Sequence, residues 1–491
     1  MEINILNPYQ KTFRFVGKVA KEIIFTKDVN VRAKNIKTDI IHMGPTYIKI
    51  GQLISTRTDV FPDYLTDVFS DLQNDIEYMP FNHVNQIFRS DFNHDIDHYF
   101  GSFSEKPIAS ASIGQVHLAT LHSHPNHKLA VKILRQNVNH IFKTEMNSVI
   151  KLTLFFRKLS KPFGMNKQLD DMLSLFQEQY NNIDAETNME RELKNMMKFK
   201  QLVSNNNNII IPRVYKKLSS NNVLTMEYVP SFKITNRNLK NIDKSFLASE
   251  LMKSFVLMVL NHGYLHCDPH PGNIGINQQG KIVLYDFGLV KKFDLNIKEY
   301  FRKIFFAIIN GSSTEVIDFM LSSKIIIAKE SGATSIDMLT GHEMIILERI
   351  TQYIYVYMNN VEVTGFAESI ENDKYIDAAN IPFDFDVQLV YIFKSFSTLE
   401  GVCKQLNSEF NYIDLVSNFI FDLLDIDMLI DKATYDIKKS SNTLDTNTAN
   451  DNYTKFAIEK LNKRFEEQTK LISCVLLIPM FVDLMLFMLT L

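Results

Sequence analysis

The stretch PIASASIGQVHLA, residues 107–119, sets Ala109, Ala111, Gly114 and Val116 in the frame G-x-G-x-x-G-x-V by which glycine-rich loops cradle phosphate. Two of its three glycine positions hold alanine. Alanine lacks glycine's freedom at positive φ, and its methyl group hinders close approach of backbone to a phosphate. Small residues before a strand are common, so the segment taken alone is a weak signal. Its neighbours decide whether it is a coincidence, a damaged loop or a loop altered for a purpose.

Sixteen residues after Val116, an apolar run LAVKIL (129–134) carries Lys132 between Val131 and Ile133. HCDPHPGN (266–273) then places Asp268 and Asn273 five residues apart, and thirteen residues further on stands Asp286-Phe287-Gly288. Their order and spacing are those of protein-kinase machinery: a strand lysine for the α- and β-phosphates, a loop H-R-D-x-x-x-x-N, and D-F-G. Phosphoryl transfer is mostly positioning and stabilisation of negative charge. It needs a fixed cation (Lys132), hard oxygen ligands for Mg²⁺ (Asn273 and Asp286) and a carboxylate beside the acceptor hydroxyl (Asp268). None of these is missing, which argues against a catalytically dead relative. His266, Cys267 and His270 have a compact metal-like spacing, but inside this loop His266 is expected to brace backbone.

The remaining composition sets bounds. In 491 residues, 45% are hydrophobic and 22% charged, so the chain can bury a large core and is not of the disordered class. A net charge of −3 gives no global case for nucleic acid as a partner, though a local basic patch stays open. Cys267, Cys403 and Cys474 have no disulfide or metal spacing, which points to a reducing compartment, cytosol or organelle matrix. KTFRFVGKVAKEIIF (11–25) is basic and amphipathic; an ordinary solvated helix, a membrane-surface helix and an organelle address are all open readings.

Periodicity predicts helices over 1–80, two strands (115–121 and 128–135) around the loop HSHPNH, and one helical stretch from about 166 to 203. Short strands are predicted at 209–212 and 222–229, and an amphipathic helix over 245–263 ending at Gly263. The expected fold class is α+β, a bilobal kinase-like fold. Its parts are an N-terminal helical extension (1–80), an N-lobe (81–230), a mostly helical C-lobe (231–435), a polar linker (436–453) and a C-terminal helix with an apolar tail (454–491).

These residues, with GPTYIKIGQLISTRTDVFPDYLTDVFSDLQN (44–74), resemble the UbiB (ADCK-type) atypical kinases. Lys49, Gly51 and Gln52 stand in that family's K-x-G-Q positions, PIASASIGQVH is similar to its alanine-rich loop, VLTMEYV to its hinge and HCDPHPGN to its catalytic loop. The resemblance runs from about 35 to 295. It implies an altered rather than a broken loop, with Ala109, Ala111, Ser112, Gly114 and Val116 contacting ATP. It also implies Met226 at the back of an adenine pocket, with the backbone of Glu227 and Val229 bonding the base. Lys49 joins Lys132 and Asp268 in the expected catalytic set. The family's E-x-D motif appears as ETNMERELKN (186–195), with Asn188 in place of aspartate, which puts full family-type metal binding in question. Glu192 is the favoured ion-pair partner of Lys132, and Glu186 a partner for Lys49 or a metal ligand; the reverse pairing stays open. The implied activity is Mg-dependent use of ATP, as ATPase or small-molecule kinase, in support of isoprenoid (ubiquinone) lipid metabolism.

Residues 471–491 contain one charge, Asp483, among thirteen Leu, Ile, Val or Phe residues. Their insertion into a bilayer is favoured by about 4–8 kcal/mol and opposed by about 2.5–3.5 for a central Asp, so membrane attachment through this tail is expected, with packing on the C-lobe as the alternative. Two other functional readings remain: a small-molecule phosphotransferase of the aminoglycoside- or choline-kinase kind, and a non-enzymatic scaffold gated by nucleotide.

Overall fold

Capping residues set the first helices in the computed structural model, which describes residues 7–55, 61–70, 72, 78–160, 166–234, 242–293, 313–349 and 382–410. The linker at 436–453 and the apolar tail at 471–491 lie outside the described residues. The Asn7 side chain accepts from the Tyr9 N–H at 3.1 Å to open α1 (Pro8–Phe25). Asp28 accepts from Asn30 and Val31 to open α2 (Val29–Met43). α3 (Pro45–Ser55) and α4 (Asp63–Ser70) follow. Ile36 and Ile40 of α2, Tyr47 and Ile48 of α3 and Phe69 of α4 share one core with Leu72. Gly51 sits where α3 meets Leu72: a Cβ there would lie 2.4 Å from Leu72 Cδ1, so any larger residue must displace a buried leucine.

The chain folds as two compact units. The first comprises residues 1–231 and 283–289, the second 232–282 and 290–491. Segment 283–289, which carries Asp286-Phe287-Gly288, thus groups with the first unit.

The first unit adds α5 (Phe81–Phe92), the single turn α6 (Ile96–Tyr99) and a five-stranded antiparallel sheet. Its strands are β1 (Phe100–Phe103), β2 (Ala109–Ser110), β3 (Gly114–Leu121), β4 (His124–Leu134) and β6 (Val223–Glu227). The order is β1-β3-β4-β6, with β2 also paired to β3. β3 and β4 meet in a turn at His122–Ser123, so most of the expected loop HSHPNH is strand. Alternation along β4 sends Leu129, Val131 and Ile133 into a core with Val84, Ile87 and Phe88 of α5. The same alternation turns Lys132 to the opposite face.

Helices α7 (Val138–Ser160), α8 (Asn166–Glu186) and α9 (Met189–Leu202) complete the unit, with β5 (Ile209–Ile210) pairing β10 (Ile282–Leu284). The helical stretch expected over 166–203 breaks at Thr187–Asn188. The Asn188 side chain accepts from the Arg191 N–H at 2.8 Å and caps α9.

In the second unit, Asp243 caps α10 (Lys244–His262), which ends at Gly263 with φ 64°. β7 (Ser231–Lys233) pairs with β9 (Ile274–Asn277), and β8 (Tyr264–His266) with β11 (Val290–Lys292). Beyond these lie α11 (Ser313–Ser322), the paired β12 (Ile326–Ala328) and β13 (Phe383–Phe385), and α12 (Val387–Leu406). α12 packs on α10, where buried Cys403 Sγ reaches the Ala248 carbonyl at 3.4 Å. Among the described residues no helix is long and apolar enough to cross a membrane.

A Cβ on Gly114 would lie 2.6 Å from the Ile133 carbonyl oxygen on β4, a backbone atom that cannot rotate away. Gly114→Ala is therefore expected to lower stability by about 1–3 kcal/mol in urea unfolding. An unchanged midpoint would show that the strands part freely there.

Candidate active site

The site of the first unit is built on Lys132. Its ammonium donates to Glu192 Oε1 and Oε2 at 3.0 and 2.9 Å and to Asp286 Oδ2 at 3.0 Å. Lys132 arrives from β4, Glu192 from α9 and Asp286 from the segment after β10. Glu192 occupies a position on the buried stripe of α9, beside Met189, Leu193 and Met196. Burial alone would lower the Lys132 pKa, but Asp286 and Glu192 more than offset it and hold the ammonium charged, above its ordinary range. Burial pushes the Glu192 carboxyl up to about 7, against the pull of Lys132.

Asp286 is fixed by more than the lysine. Its backbone sits at φ 51°, in the left-handed region, at a cost of about 1–2 kcal/mol for a non-glycine residue. Asp286 Oδ1 accepts from the Gly288 N–H at 3.1 Å. α9 grips the next residue at both backbone groups: the Phe287 N–H reaches Glu192 Oε1 at 3.4 Å and its carbonyl accepts from Asn195 Nδ2 at 2.8 Å. Asn195 lies three residues after Glu192, and so on the same helix face. Sequence reasoning did not single out Asn195, and that spacing is the signal that could have found it.

Glu186, the last residue of α8, is ion-paired to Lys49 of α3. Of the two pairings left open by the sequence, Lys132 with Glu192 and Lys49 with Glu186 is the arrangement formed. Gln52, one turn beyond Lys49, donates to the Leu72 carbonyl at 3.1 Å, and the Ser112 hydroxyl approaches its Oε1 at 3.4 Å. The helix with the K-x-G-Q pattern thus touches the alanine-rich loop.

That loop is closed on itself. Ala109 pairs with Val116 across β2 and β3, and the Ala111 N–H donates to the Gly114 carbonyl at 2.7 Å. Neither alanine is at positive φ, nor is Gly114; the glycine serves close approach to β4. Ile113 packs against the cluster of Ile50, Phe142 and Phe176. Buried Gln115 holds residue 79 to the strand, accepting from the Met79 N–H at 2.6 Å and donating to its carbonyl at 3.3 Å. Sequence reasoning missed Gln115, because a side chain mimicking a strand partner across 36 residues leaves no local pattern.

In the hinge, Met226 is buried on β6 and faces Ala130 in the ladder. The Glu227 N–H donates to the Arg213 carbonyl at 2.7 Å, and the Val229 carbonyl accepts from the Tyr285 hydroxyl at 3.1 Å.

In the second unit, Asp268 and Asn273 are neighbours. Asn273 Nδ2 donates to the Asp268 carbonyl at 3.1 Å and to its Oδ2 at 3.2 Å. Buried His266 accepts the Asp268 N–H at Nδ1, 3.2 Å, and His270 accepts that of Gly272 at 2.7 Å. Both imidazoles thus brace backbone. Among the described residues no cluster of three or more His, Cys, Asp or Glu side chains is arranged to hold a metal ion. Burial pushes the Cys267 thiol up to about 12, which makes it a poor nucleophile.

The sequence model of the ABC1 atypical kinase-like domain matches residues 71–320. The chain belongs to that family. The resemblance to UbiB-type kinases drawn from the motifs is thereby established, and with it the α+β, kinase-like fold class. This ABC1-family chain is similar to Protein ACTIVITY OF BC1 COMPLEX KINASE 7, chloroplastic, of Arabidopsis thaliana, at 27% identity over 80% of this chain and 54% of that protein. It is also similar to AarF domain-containing protein kinase 1 of Xenopus tropicalis, at 31% identity over 50% of this chain and 46% of that one. It therefore spans about half the length of these curated relatives. Among solved structures, that of Rv3197 from Mycobacterium tuberculosis with erythromycin is similar at 17% identity and a TM-score of 0.47, covering 73% of this chain and 87% of that one.

Removing Lys132 from this ABC1-family site leaves a buried carboxyl without its cation. In Lys132→Met, Glu192 moves above its present value of about 7, so the fold keeps a proton that the unfolded chain releases near 4.5. Both proteins should then lose stability as pH rises from about 5 towards 7, and the variant should go on losing it above that, so its deficit against wild type opens above about pH 7 and reaches about 3–5 kcal/mol in urea unfolding. Adding Glu192→Leu should recover most of it. A pH-independent deficit would mean that Glu192 is not the group left exposed to the change.

Proposed function

We propose that this chain binds Mg-ATP and is an ATP-dependent enzyme of the UbiB type, an ATPase or small-molecule kinase supporting isoprenoid lipid metabolism at a membrane. The observation that carries the reading is the Lys132 ammonium, half-buried and held between Glu192 and Asp286. A cation with its position fixed by two carboxylates is the group that a nucleotide's phosphates require.

Each unit carries an oxygen donor of the kind that a hard divalent cation takes. Asp286 presents a carboxylate, and Asn273, with its amide nitrogen turned to Asp268, leaves Oδ1 as the oxygen for a metal. Glu186 is a further carboxylate, but its ion pair with Lys49 competes for it. Bound Mg-ATP supplies the transferable phosphoryl group and a cation on its phosphate oxygens. The chain's own residues do the rest. Lys132 offers fixed positive charge, and Asp268 orients an acceptor hydroxyl or water and takes its proton. Asn273 holds the Asp268 carboxylate in place. With the Glu227 N–H and the Val229 carbonyl already bonded within the protein, the adenine edge falls to the Glu227 carbonyl and the Val229 N–H, with Met226 behind it. Ala109, Ala111, Ser112, Gly114 and Val116 cover the phosphates with a loop closed by its own hydrogen bonds.

The isoprenoid substrate rests on the family resemblance, as does attachment to a membrane through residues 471–491. An organelle is the favoured compartment, because a similar protein is named chloroplastic. A nucleotide-gated scaffold is the second reading, favoured by Asn188: the residue at the family's acidic position is a neutral helix cap.

The test is the thermal unfolding midpoint of the full chain with and without Mg-ATP, beside Asp286→Asn. At about 100 times its dissociation constant a ligand stabilises the fold by roughly 2.7 kcal/mol. A Mg-dependent upward shift, lost in Asp286→Asn, is expected. No shift in the wild type would sink the nucleotide reading, and a shift without ATP turnover on lipid vesicles would favour the scaffold.

A further inference from the structure

Helix α1 is apolar on two faces. Its inner face, with Phe15 and Val19, packs on the core around Tyr47, and buried Thr12 shares a 2.8 Å hydrogen bond with the Tyr47 hydroxyl. On the outer face Phe13, Gly17, Ala20 and Ile24 recur at spacings of four, three and four, and all are exposed. Phe13 is 67% exposed, Ile24 70% and the helix-terminal Phe25 75%, and Val29 and Val31 at the start of α2 are exposed as well. A solvated helix places polar residues on such a face. Scattered single apolar residues need no explanation, but a contiguous patch of this kind marks a docking surface.

Charge says what docks. Between residues 11 and 37, eight Lys and Arg stand against Glu22 and Asp28, a local net of +6 in a chain of net −3. Lys11 and Lys18 are ion-paired to Glu145 and Asp39. Arg14, Lys21, Lys27 and Lys34 are exposed beside the apolar stripe. A second copy of this face would repel it, and nucleic acid offers nothing to Phe13, Ile24 and Phe25. A bilayer with anionic headgroups takes both parts: acyl chains receive the stripe and headgroups the flanking cations.

We propose that the outer face of α1, with the start of α2, is a membrane-surface docking site that selects anionic lipid, lying in the headgroup layer rather than crossing it. This assignment is independent of nucleotide turnover and of residues 471–491.

Flotation of the full-length chain with vesicles of phosphatidylcholine alone, or with about 30% phosphatidylglycerol, tests it. The wild type should partition to the anionic vesicles about tenfold better than to the neutral ones, with the preference shrinking at high salt. Phe13→Ser with Ile24→Ser, and separately Arg14→Glu with Lys21→Glu, should reduce that preference to about one. Gly17→Glu guards against misfolding, because nothing lies within 4 Å of a Cβ there; it should lose the preference while keeping the wild-type unfolding midpoint. A wild type without lipid-charge preference, or folded variants that keep all of it, would overturn the proposal. The second outcome would place membrane contact on another surface.

Discussion

An ammonium group drawn partly out of water and kept charged is the constraint around which the first unit is arranged. Lys132 keeps its proton because two carboxylates reach it, and each depends on a separate feature of the fold. The alternation of β4 turns Lys132 away from the core of Leu129, Val131 and Ile133. The stripe of α9 carries Glu192 inward among methionines. The left-handed turn at Asp286 brings the third member, and the backbone strain there persists because Gly288, Glu192 and Asn195 hold the residues around it. An ion pair with one member buried, as Glu192 is here, contributes little net stability when intact. Their value lies in geometry, since the lysine has one place to put its charge.

The loop opposite that lysine solves its problem without glycine's conformational freedom. Ala109 and Ala111 stay at ordinary φ, the Ala111 N–H is bonded within the loop, and Ile113 and Ser112 are tied to helical elements. A glycine-rich loop gains ligand contact by flexing over phosphate. This one exchanges that latitude for a fixed shape, with the helix of Lys49 and Gln52 as its support.

Much of this was legible from residue spacing. Lys132, Asp268, Asn273 and Asp286 stand out because kinase chemistry needs those types in that order, and each lies near a strand end or turn that alternation and Gly-Pro punctuation mark. The pairing of Glu192 with Lys132 was readable as a preference from the likeness of ETNMERELKN to the family's acidic motif. Three features were not. The break at Thr187–Asn188 was hidden by continuous helical periodicity, although an Asn followed by Glu190 and Glu192 is a cap followed by an acidic first turn. The grip of Gln115 on Met79 joins a side chain to distant backbone. The short β3–β4 turn was obscured by polar residues that a strand edge accommodates when it faces solvent, as residues 124–128 do.

The Asn188 cap has a bearing on which changes in chain length this protein can absorb. A helix begins where its cap stands, and each residue along it turns by about 100°. Glu192 meets Lys132 because it follows Asn188 by four positions, a little more than one turn. One residue gained or lost between them would swing the carboxylate to another side of α9 and carry Asn195 with it. At His122–Ser123, on an exposed turn, the same insertion would lengthen a loop and nothing more. Natural variation in length should therefore gather at the hairpin and be absent from the four-residue interval that times the helix.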